Sequence, residues 1–457
     1  MSDSQSPLLT DLYQLAMLQA YHAHGLTRTA VFELFVRTLP PRRGFLMAAG
    51  LEQALDFLER LRFEEDPLDY LRRSRRFPPE FLDWLKELRF TGDVDAMPEG
   101  TIFFPDEPII RVTAPLPEAQ LIETRLLNLL HFETVIASKA ARMVLAAPGK
   151  LLVDFGLRRA HGAEAGLLAA RASYLAGFTG TATVLADERF GIPLYGTMAH
   201  SFIEAHDSEA LAFEHFARAR PEGVILLIDT YDIERGAERA VALARRLLKD
   251  GIVVRGVRID SGDLGEQARR VRAILDAGGL EQAIIFASGG LDEDELARFT
   301  RERVPIDGYG IGTSLTTSSD APALDCAYKL QEYDGIPRRK LSPGKASWPG
   351  RKQVWRLIGE EGELAGDLIA PAQERHAGRA LLLPAMRGGR RSPASPPLAE
   401  IRRDAAAALK QLPPPLAALE PLHYPVEIAP GLRQLAEECD RRLAAAEGGE
   451  RAGKGRP

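Results

Sequence analysis

The sequence predicts an α/β fold: an irregular, TIM-like α/β barrel with a second α+β domain built from the N-terminal part and C-terminal segments. Three observations carry this. After about residue 150, short continuous apolar runs alternate with amphipathic helices, the pattern of a parallel sheet buried on both faces. The residues before about 130 instead mix helices with short β-branched, Pro-rich strands. Each apolar run ends in Asp, Ser, Gly or Thr, and catalytic groups gather at the carboxyl ends of strands in barrels and open sheets alike. An open doubly wound sheet would carry a Gly-rich nucleotide turn after its first strand, and none is present. A barrel is therefore expected.

In chain order, residues 1–130 form the α+β domain. A helix is expected over 10–22, capped by Thr10 or Asp11, with Leu12, Leu15 and Ala16 as its apolar stripe. Tyr13 falls off that stripe and should face something other than the same core. Residues 31–36 read as a strand and 40–44 (Pro-Pro-Arg-Arg-Gly) as a loop. Residues 51–61 and 81–88 have helical periodicity, and 93–119 read as short strands and turns. A helix over 124–145, apolar through Leu126, Leu127, Leu130, Val135 and Ile136, leads into the barrel.

The barrel is expected over 131–330. Its strands are 151–153, 224–228 (ending in Asp229), 252–259 (ending in Asp260), 283–286 (ending in Ser288-Gly289-Gly290) and one near Tyr309 running into Gly310-Ile311-Gly312-Thr313. Amphipathic helices fill the gaps, for instance 235–249 and 264–275. Residues 331–446 form a C-terminal segment, part of which (331–440) completes the first domain. Within it, 337–345 is a basic loop, 353–356 a strand and 387–397 a mobile loop. Residues 447–457 read as a disordered tail.

Composition narrows the function. The chain has 457 residues, 45% hydrophobic and 27% charged, ordinary for a soluble globular protein. A net charge of −6 argues against a nucleic-acid partner. With 2 cysteines, Cys326 and Cys439, there is no disulfide framework or four-thiolate zinc site. The start lacks the basic and apolar regions of a signal peptide, and no apolar run is long enough to span a bilayer. A cytoplasmic protein without membrane contact is expected.

The residues that promise chemistry sit at the strand ends. Arg158, Arg159 and Arg258 can grip phosphate or carboxylate, although an Arg–Asp alternation also makes plain ion pairs. Asp229, Asp260 and Asp263 can hold Mg²⁺ or sugar hydroxyls. Gly289-Gly290 and Gly310-Ile311-Gly312-Thr313 offer backbone N–H groups of the kind that cradle phosphate, or simply turns. His200 is framed by Gly196, Thr197, Ala199 and Ser201. An isolated histidine is usually a structural hydrogen-bonder, but that frame leaves room beside the ring for a phosphoryl group. Gly344-Lys345-Ala346 is not a P-loop, because the upstream Gly and the following Ser or Thr are missing. Together these groups fit a phosphorylated sugar bound with a divalent metal.

Five ordered stretches give a family resemblance: Leu9-Thr10-Asp11-Leu12-Tyr13-Gln14, 154–162 (Asp-Phe-Gly-Leu-Arg-Arg-Ala-His-Gly), 196–202 (Gly-Thr-Met-Ala-His-Ser-Phe), 258–263 (Arg-Ile-Asp-Ser-Gly-Asp) and 310–313. Across residues 9 to about 356 the chain resembles the nicotinate phosphoribosyltransferases. The resemblance implies transfer of a phosphoribosyl group from phosphoribosyl pyrophosphate to nicotinate, with Mg²⁺ and with ATP as co-substrate. It also implies a homodimer with shared active sites. Tyr13 of one subunit and Phe155 of the other would sandwich the pyridine ring. Arg258 would meet the base carboxylate, and Arg158, with Arg159, the ribose phosphate. Asp229 and Asp260 would address ribose and the metal-bound diphosphate. Thr181, Ser288, Gly289, Gly290, Gly310, Gly312 and Thr313 would line the substrate site, and His200 would be the histidine that ATP phosphorylates. The relative that uses nicotinamide carries an aspartate where Ala182 stands here, which favours the acid over the amide. Nicotinamide or quinolinate as the base, a sugar-phosphate isomerase or aldolase barrel, and a non-catalytic pyridine-nucleotide sensor are the competing readings. The barrel enzymes would need a Lys or Glu at a strand end, and the sensor would have lost His200, Asp260 or Arg258.

Overall fold

Six short extended runs organise the half of the chain that carries most of the candidate site residues. In the computed structural model, which describes residues 5–342, 346–420 and 422–453 and the side chains of the last helix to 445, these runs are parallel strands. They are β1 (Leu151–Asp154), β2 (Gly180–Thr181), β3 (Val224–Leu227), β4 (Val254–Ile259), β5 (Ile284–Ser288) and β6 (Gly308–Ile311). They pair in the order β2-β1-β6-β5-β4-β3. Val153, Leu226, Leu227, Val257, Ile259, Ile285 and Ile311 are fully buried, as strands covered on both faces require. The sheet is all parallel, but among the described residues no ladder joins β2 to β3. The mixed α/β class is as expected, whereas the closed barrel is not seen.

Helices return the chain between these strands. Ile233–Leu247, Leu264–Ala277 and Glu293–Arg301 all begin with an aspartate, at 232, 263 and 292, whose carboxylate accepts backbone N–H groups of the first turn. Asp263, read from the sequence as a metal or sugar ligand, is therefore spent as a helix cap: it accepts from Gly265 and Glu266, which hold its carboxyl below the ordinary range. This unit spans Ile136–Pro322.

The other unit comprises Met1–Val135 and Ala323–Pro457. Its main sheet has seven strands, ordered Ile336–Pro337, Cys326–Tyr333, Thr29–Val36, Ile110–Pro115, Asp93–Ala96, Leu383–Arg387 and Arg390–Arg391. A four-stranded sheet orders Arg379–Ala380, Lys352–Ile358, Leu364–Pro371 and Val426–Ile428. C-terminal strands thus extend a sheet that the N-terminal residues begin. Two of this unit's buried charge pairs show how desolvation is met: Glu33 meets Lys352 at 2.7 Å, and Asp367 takes Arg356 in a two-pronged pair at 3.0 and 2.6 Å.

Several local expectations change. The first helix runs Leu12–Ala23, and its buried stripe is Gln14, Leu15 and Leu18 rather than Leu12, Leu15 and Ala16. Gln14 is tolerated inside because it donates to Glu123 and accepts from Gln120, both at 2.9 Å. Asp11 does not cap with its side chain and instead accepts from Thr124 at 2.8 Å. Glu65–Ser74 is a helix that the periodicity reading passed over. Part of the 387–397 stretch, expected to be mobile, is a hairpin pinned by Arg391 to Glu52, Asp56 and Glu59. Residues 447–453, where composition predicted a disordered tail, continue the backbone of the helix Pro430–Gly453, and residues 343–345 and 454–457 lie outside the described residues.

Candidate active site

Following β1, the chain turns through Phe155 and Gly156 into a 3₁₀ turn, Leu157–Arg159. Gly156 is obligatory there, because a Cβ would stand 1.8 Å from Thr316 Oγ1. The turn leaves Arg158 and Arg159 exposed, and neither has an ion-pair partner among the described residues. Two uncommitted guanidiniums at a strand end form a place for an anion.

Phe155 is half-buried and donates its backbone N–H to Ile311 at 2.9 Å. Its ring lies 5.8 Å from that of Phe286, and the Arg258 guanidinium sits 5.5 Å from its centroid. Gly310 makes room for this ring, since a Cβ would lie 2.5 Å from two of its atoms. Gly310 is a ladder residue between Val153 and Ser288, so it supplies space rather than the phosphate-binding N–H expected of it.

Arg258, near the end of β4, is 15% exposed, and each of its three nitrogens donates within the site while one Nη2 N–H stays uncommitted. Its Nε donates to Ser288 at 2.8 Å, Nη2 to Asp260 at 2.8 Å, and Nη1 to Thr197 at 3.2 Å. Asp260 also accepts from the Ser288 hydroxyl. Burial works against its charge, but Ser288, Arg258 and His200 outweigh it and hold the carboxyl below its ordinary range. Asp260 is therefore an anion at neutral pH.

Asp229, two residues beyond β3, accepts the Asp260 N–H at 2.8 Å and the Ser261 hydroxyl at 2.7 Å through one oxygen. Its other oxygen, Oδ1, is buried and has no hydrogen-bond partner. A buried carboxylate oxygen left bare is costly unless something completes it. A divalent cation or a sugar hydroxyl does so. No group of three or more His, Cys, Asp or Glu residues among the described residues makes a protein-only metal cage. The donor set thus fits Mg²⁺ held by one or two carboxylates together with substrate phosphates.

His200 begins a short helix, His200–Glu204. Its Nδ1 is 3.0 Å from Thr230 Oγ1 and its Nε2 is 3.8 Å from Asp260 Oδ2. Ser288 is followed by Gly289 and Gly290 with φ of 97° and 64°, a conformation that favours glycine. The backbone N–H groups of Gly289, Gly290, Gly312 and Thr313 have no partner among the described residues.

Arg158, Arg159, Phe155, Arg258, Asp260, Asp229, Ser288, Gly289, Gly290, Gly310, Gly312, Thr313 and His200 therefore all belong to the carboxyl-end side of one sheet. Tyr13 belongs to the other unit, where it is 48% exposed and its hydroxyl is raised by partial burial and by Glu123 and Asp11. Thr181 departs from expectation. It is fully buried, donating to Asp154 at 2.7 Å and accepting the Thr183 N–H at 3.0 Å, so its hydroxyl is not offered to a substrate. Ala182, next to it, is exposed. Sequence reasoning assigned no site role to Asp154, Thr230, Ser261 or Phe286, and it marked Thr197 only as room beside His200. The signals were the matching stretches 154–162, 196–202 and 258–263, which contain Asp154, Thr197 and Ser261. A cavity of 560 Å³ in the other unit, walled by Leu51, Leu55, Pro98, Ile102 and Leu383, holds none of these residues.

Fold and site together define an α/β protein whose candidate site, at the carboxyl ends of a parallel sheet, gathers exposed arginines, carboxylates, an aromatic ring and backbone N–H groups unpartnered among the described residues. Residues 8–131 match the nicotinate phosphoribosyltransferase (NAPRTase) N-terminal domain, and residues 151–334 match the nicotinate phosphoribosyltransferase (NAPRTase) family. The chain is 51% identical over 431 residues to the nicotinate phosphoribosyltransferase pncB2 of Mycobacterium tuberculosis, covering 94% of this chain and 92% of that protein. It is 34% identical over 526 residues to nicotinate phosphoribosyltransferase of Bos taurus, covering 96% and 97%. The crystal structure of human nicotinic acid phosphoribosyltransferase superposes with a TM-score of 0.84 at 31% identity, covering 94% of this chain and 99% of that one. The nicotinate-nucleotide pyrophosphorylase of Pyrococcus furiosus follows with a TM-score of 0.73 at 27% identity, covering 90% and 96%. This chain belongs to the nicotinate phosphoribosyltransferase family.

Proposed function

We propose that the protein transfers the phosphoribosyl group of phosphoribosyl pyrophosphate to nicotinate, releasing diphosphate and forming nicotinate mononucleotide for NAD synthesis. One observation carries the reading. Arg258 stands over the Phe155 ring, so a flat ring and a carboxylate are served at adjacent positions. Phe155 is the stacking surface for the pyridine, with Tyr13 of the partner subunit on the opposite face in a homodimer. Arg258 meets the nicotinate carboxylate, and exposed Ala182 offers no charge to repel it.

The chemistry asks little of acid or base groups. The bond between the anomeric carbon and the diphosphate oxygen breaks, and its electron pair leaves with diphosphate. The lone pair of the pyridine nitrogen then forms the new C–N bond, and no proton moves. Arg158 and Arg159 hold the ribose phosphate, and the N–H groups of Gly289, Gly290, Gly312 and Thr313 supply further phosphate contacts. Asp260 and Asp229 orient the ribose hydroxyls and would hold Mg²⁺. A Mg²⁺ ion held there would supply charge neutralisation for the departing diphosphate. The open six-stranded sheet is read here as the wall of an irregular barrel.

ATP couples to this transfer through His200. In the tautomer whose Nδ1–H donates to Thr230, Nε2 carries the lone pair that attacks the γ-phosphorus. ADP departs, and the phosphoryl group later passes to water. The test uses purified protein with phosphoribosyl pyrophosphate, Mg²⁺ and nicotinate, with and without ATP, following mononucleotide, diphosphate and ADP. Stoichiometric mononucleotide and diphosphate, accelerated by ATP with ADP release, is expected. No mononucleotide under any of these conditions would overturn the reading.

A further inference from the structure

Beneath the exposed site lies a carboxylate that the reaction described above does not use. Asp154, the last residue of β1, is 1% exposed and has no cation facing it among the described residues. Its Oδ1 accepts the Gly156 N–H at 2.8 Å, and its Oδ2 accepts the Thr181 hydroxyl at 2.7 Å. Its backbone carbonyl accepts the Ala182 N–H at 2.9 Å. Three hydrogen bonds therefore tie two segments together: the turn that carries Phe155, and the strand end that carries Ala182.

Burying a carboxylate without a counter-charge is expensive, and a neutral side chain would pack there at less cost. What only a carboxylate of this length supplies is two acceptor oxygens and no donor. Asparagine would answer the Gly156 N–H but would turn an N–H toward the Thr181 hydroxyl. The far side of the turn is fixed as well, since Gly156 lies against Thr316 with no space for a Cβ. On the near side, Thr181 Oγ1 also accepts from the Thr183 N–H at 3.0 Å, which extends the tie to the start of the helix Val184–Phe190.

We propose that Asp154 and Thr181 are positioning residues: their hydrogen bond locks the Phe155 turn to the 181–183 segment and so sets the affinity for the pyridine base. The inference rests on the nicotinate reading. It assigns Thr181 to support of the base site rather than to contact with the base. Arg158 and Arg159 follow on the same turn, but they are long, exposed side chains that can still reach the phosphate. The cradles at Gly289-Gly290 and Gly312-Thr313 lie on other strand ends, so loss of the bridge should fall on the base more than on the sugar donor.

The test compares Asp154→Asn, Thr181→Val, the double variant and Thr181→Ser with the wild type. KM is measured for nicotinate and for phosphoribosyl pyrophosphate, and melting temperature is measured alongside. Asp154→Asn and Thr181→Val should each raise the nicotinate KM roughly tenfold, the effect of leaving one buried partner unmet. The KM for phosphoribosyl pyrophosphate should stay within about twofold, and the double variant should be no worse than either single one. Thr181→Ser, which keeps the hydroxyl, should behave as wild type. Equal shifts in both KM values, a fall in melting temperature with neither KM changed, or multiplicative effects in the double variant would each overturn the proposal. If Asp154→Asn does not fold, the contrast between Thr181→Val and Thr181→Ser decides alone. Wild-type protein that ignores nicotinate would count against the parent reading only, and the split would then be read with the base it does use.

Discussion

Replacing Gly310 by alanine tests the base site with a single methyl group. Gly310 sits mid-ladder in β6 with no positive φ, so alanine meets no backbone objection there. The obstacle is steric. Its Cβ would fall 2.5 Å from Cδ2 and Cε2 of Phe155 and 3.0 Å from Cε1 of Phe286. Carbon atoms pack at about 3.5–4.0 Å, so the Phe155 ring must retreat by about 1 Å. Phe286 need move less, so the Phe155 ring takes most of the displacement. Overpacking of this kind costs about 1–3 kcal/mol. If about half of that is felt when the base binds, the nicotinate KM rises roughly two- to tenfold. The fold should survive with a melting temperature lower by about 2–8 °C. Steady-state KM for nicotinate and for phosphoribosyl pyrophosphate, beside a thermal melt, gives both readouts. An unchanged nicotinate KM in a variant that melts earlier would show that Phe155 does not face the base.

Three further outcomes are expected. His200→Ala should lose ATP stimulation and ADP release while keeping slow transfer, as measured by ADP formed per mononucleotide; retained coupling would exclude the phosphohistidine role. Asp229→Asn removes the charge behind the bare Oδ1, and the Mg²⁺ concentration for half-maximal rate should rise roughly tenfold, the loss of about 1.4 kcal/mol. Burial raises the Asp154 carboxyl from 3.8 to about 6 despite its bonds to Thr181 and Gly156. Its ionisation therefore costs nothing below its ordinary range and about 3 kcal/mol once the pH is well above 6. Wild type should lose about 1.4 kcal/mol of stability relative to Asp154→Asn between about pH 5 and 7.5, read from denaturant melts. A difference that does not vary with pH would refute this.

The parallel sheet was legible because β1, β3 and β5 are continuous apolar runs, β4 and β6 intersperse apolar residues with Gly or Arg, and all lead into polar residues. β2 was not, because its two residues, Gly180 and Thr181, carry no run to read. Barrel closure was an inference from an absent nucleotide turn, and strand pairing, which decides it, leaves no mark in composition. The aspartates teach a similar lesson. Asp229, Asp260 and Asp263 look alike after their strands, yet two stand in the site and one caps a helix, because the difference lies in which backbone N–H groups each can reach. Arg258 and His200 stood out by residue type. Of their supports, Thr230 became visible only through contact, whereas Thr197 and Ser288 were legible near the site but not as partners of Arg258. Asp154 escaped notice because nothing local distinguishes a strand-end aspartate that holds two segments together from one that faces substrate. The stripe of the first helix was misjudged because Gln14 is buried through partners more than a hundred residues away.

The central claim is that this site takes the acid and not the amide. Its most direct test is a competition: wild-type protein with phosphoribosyl pyrophosphate, Mg²⁺ and ATP is given nicotinate, nicotinamide and quinolinate together, and the mononucleotides are separated and counted. Nicotinate mononucleotide should be the dominant product. Preferential formation of the nicotinamide or quinolinate product would contradict the account.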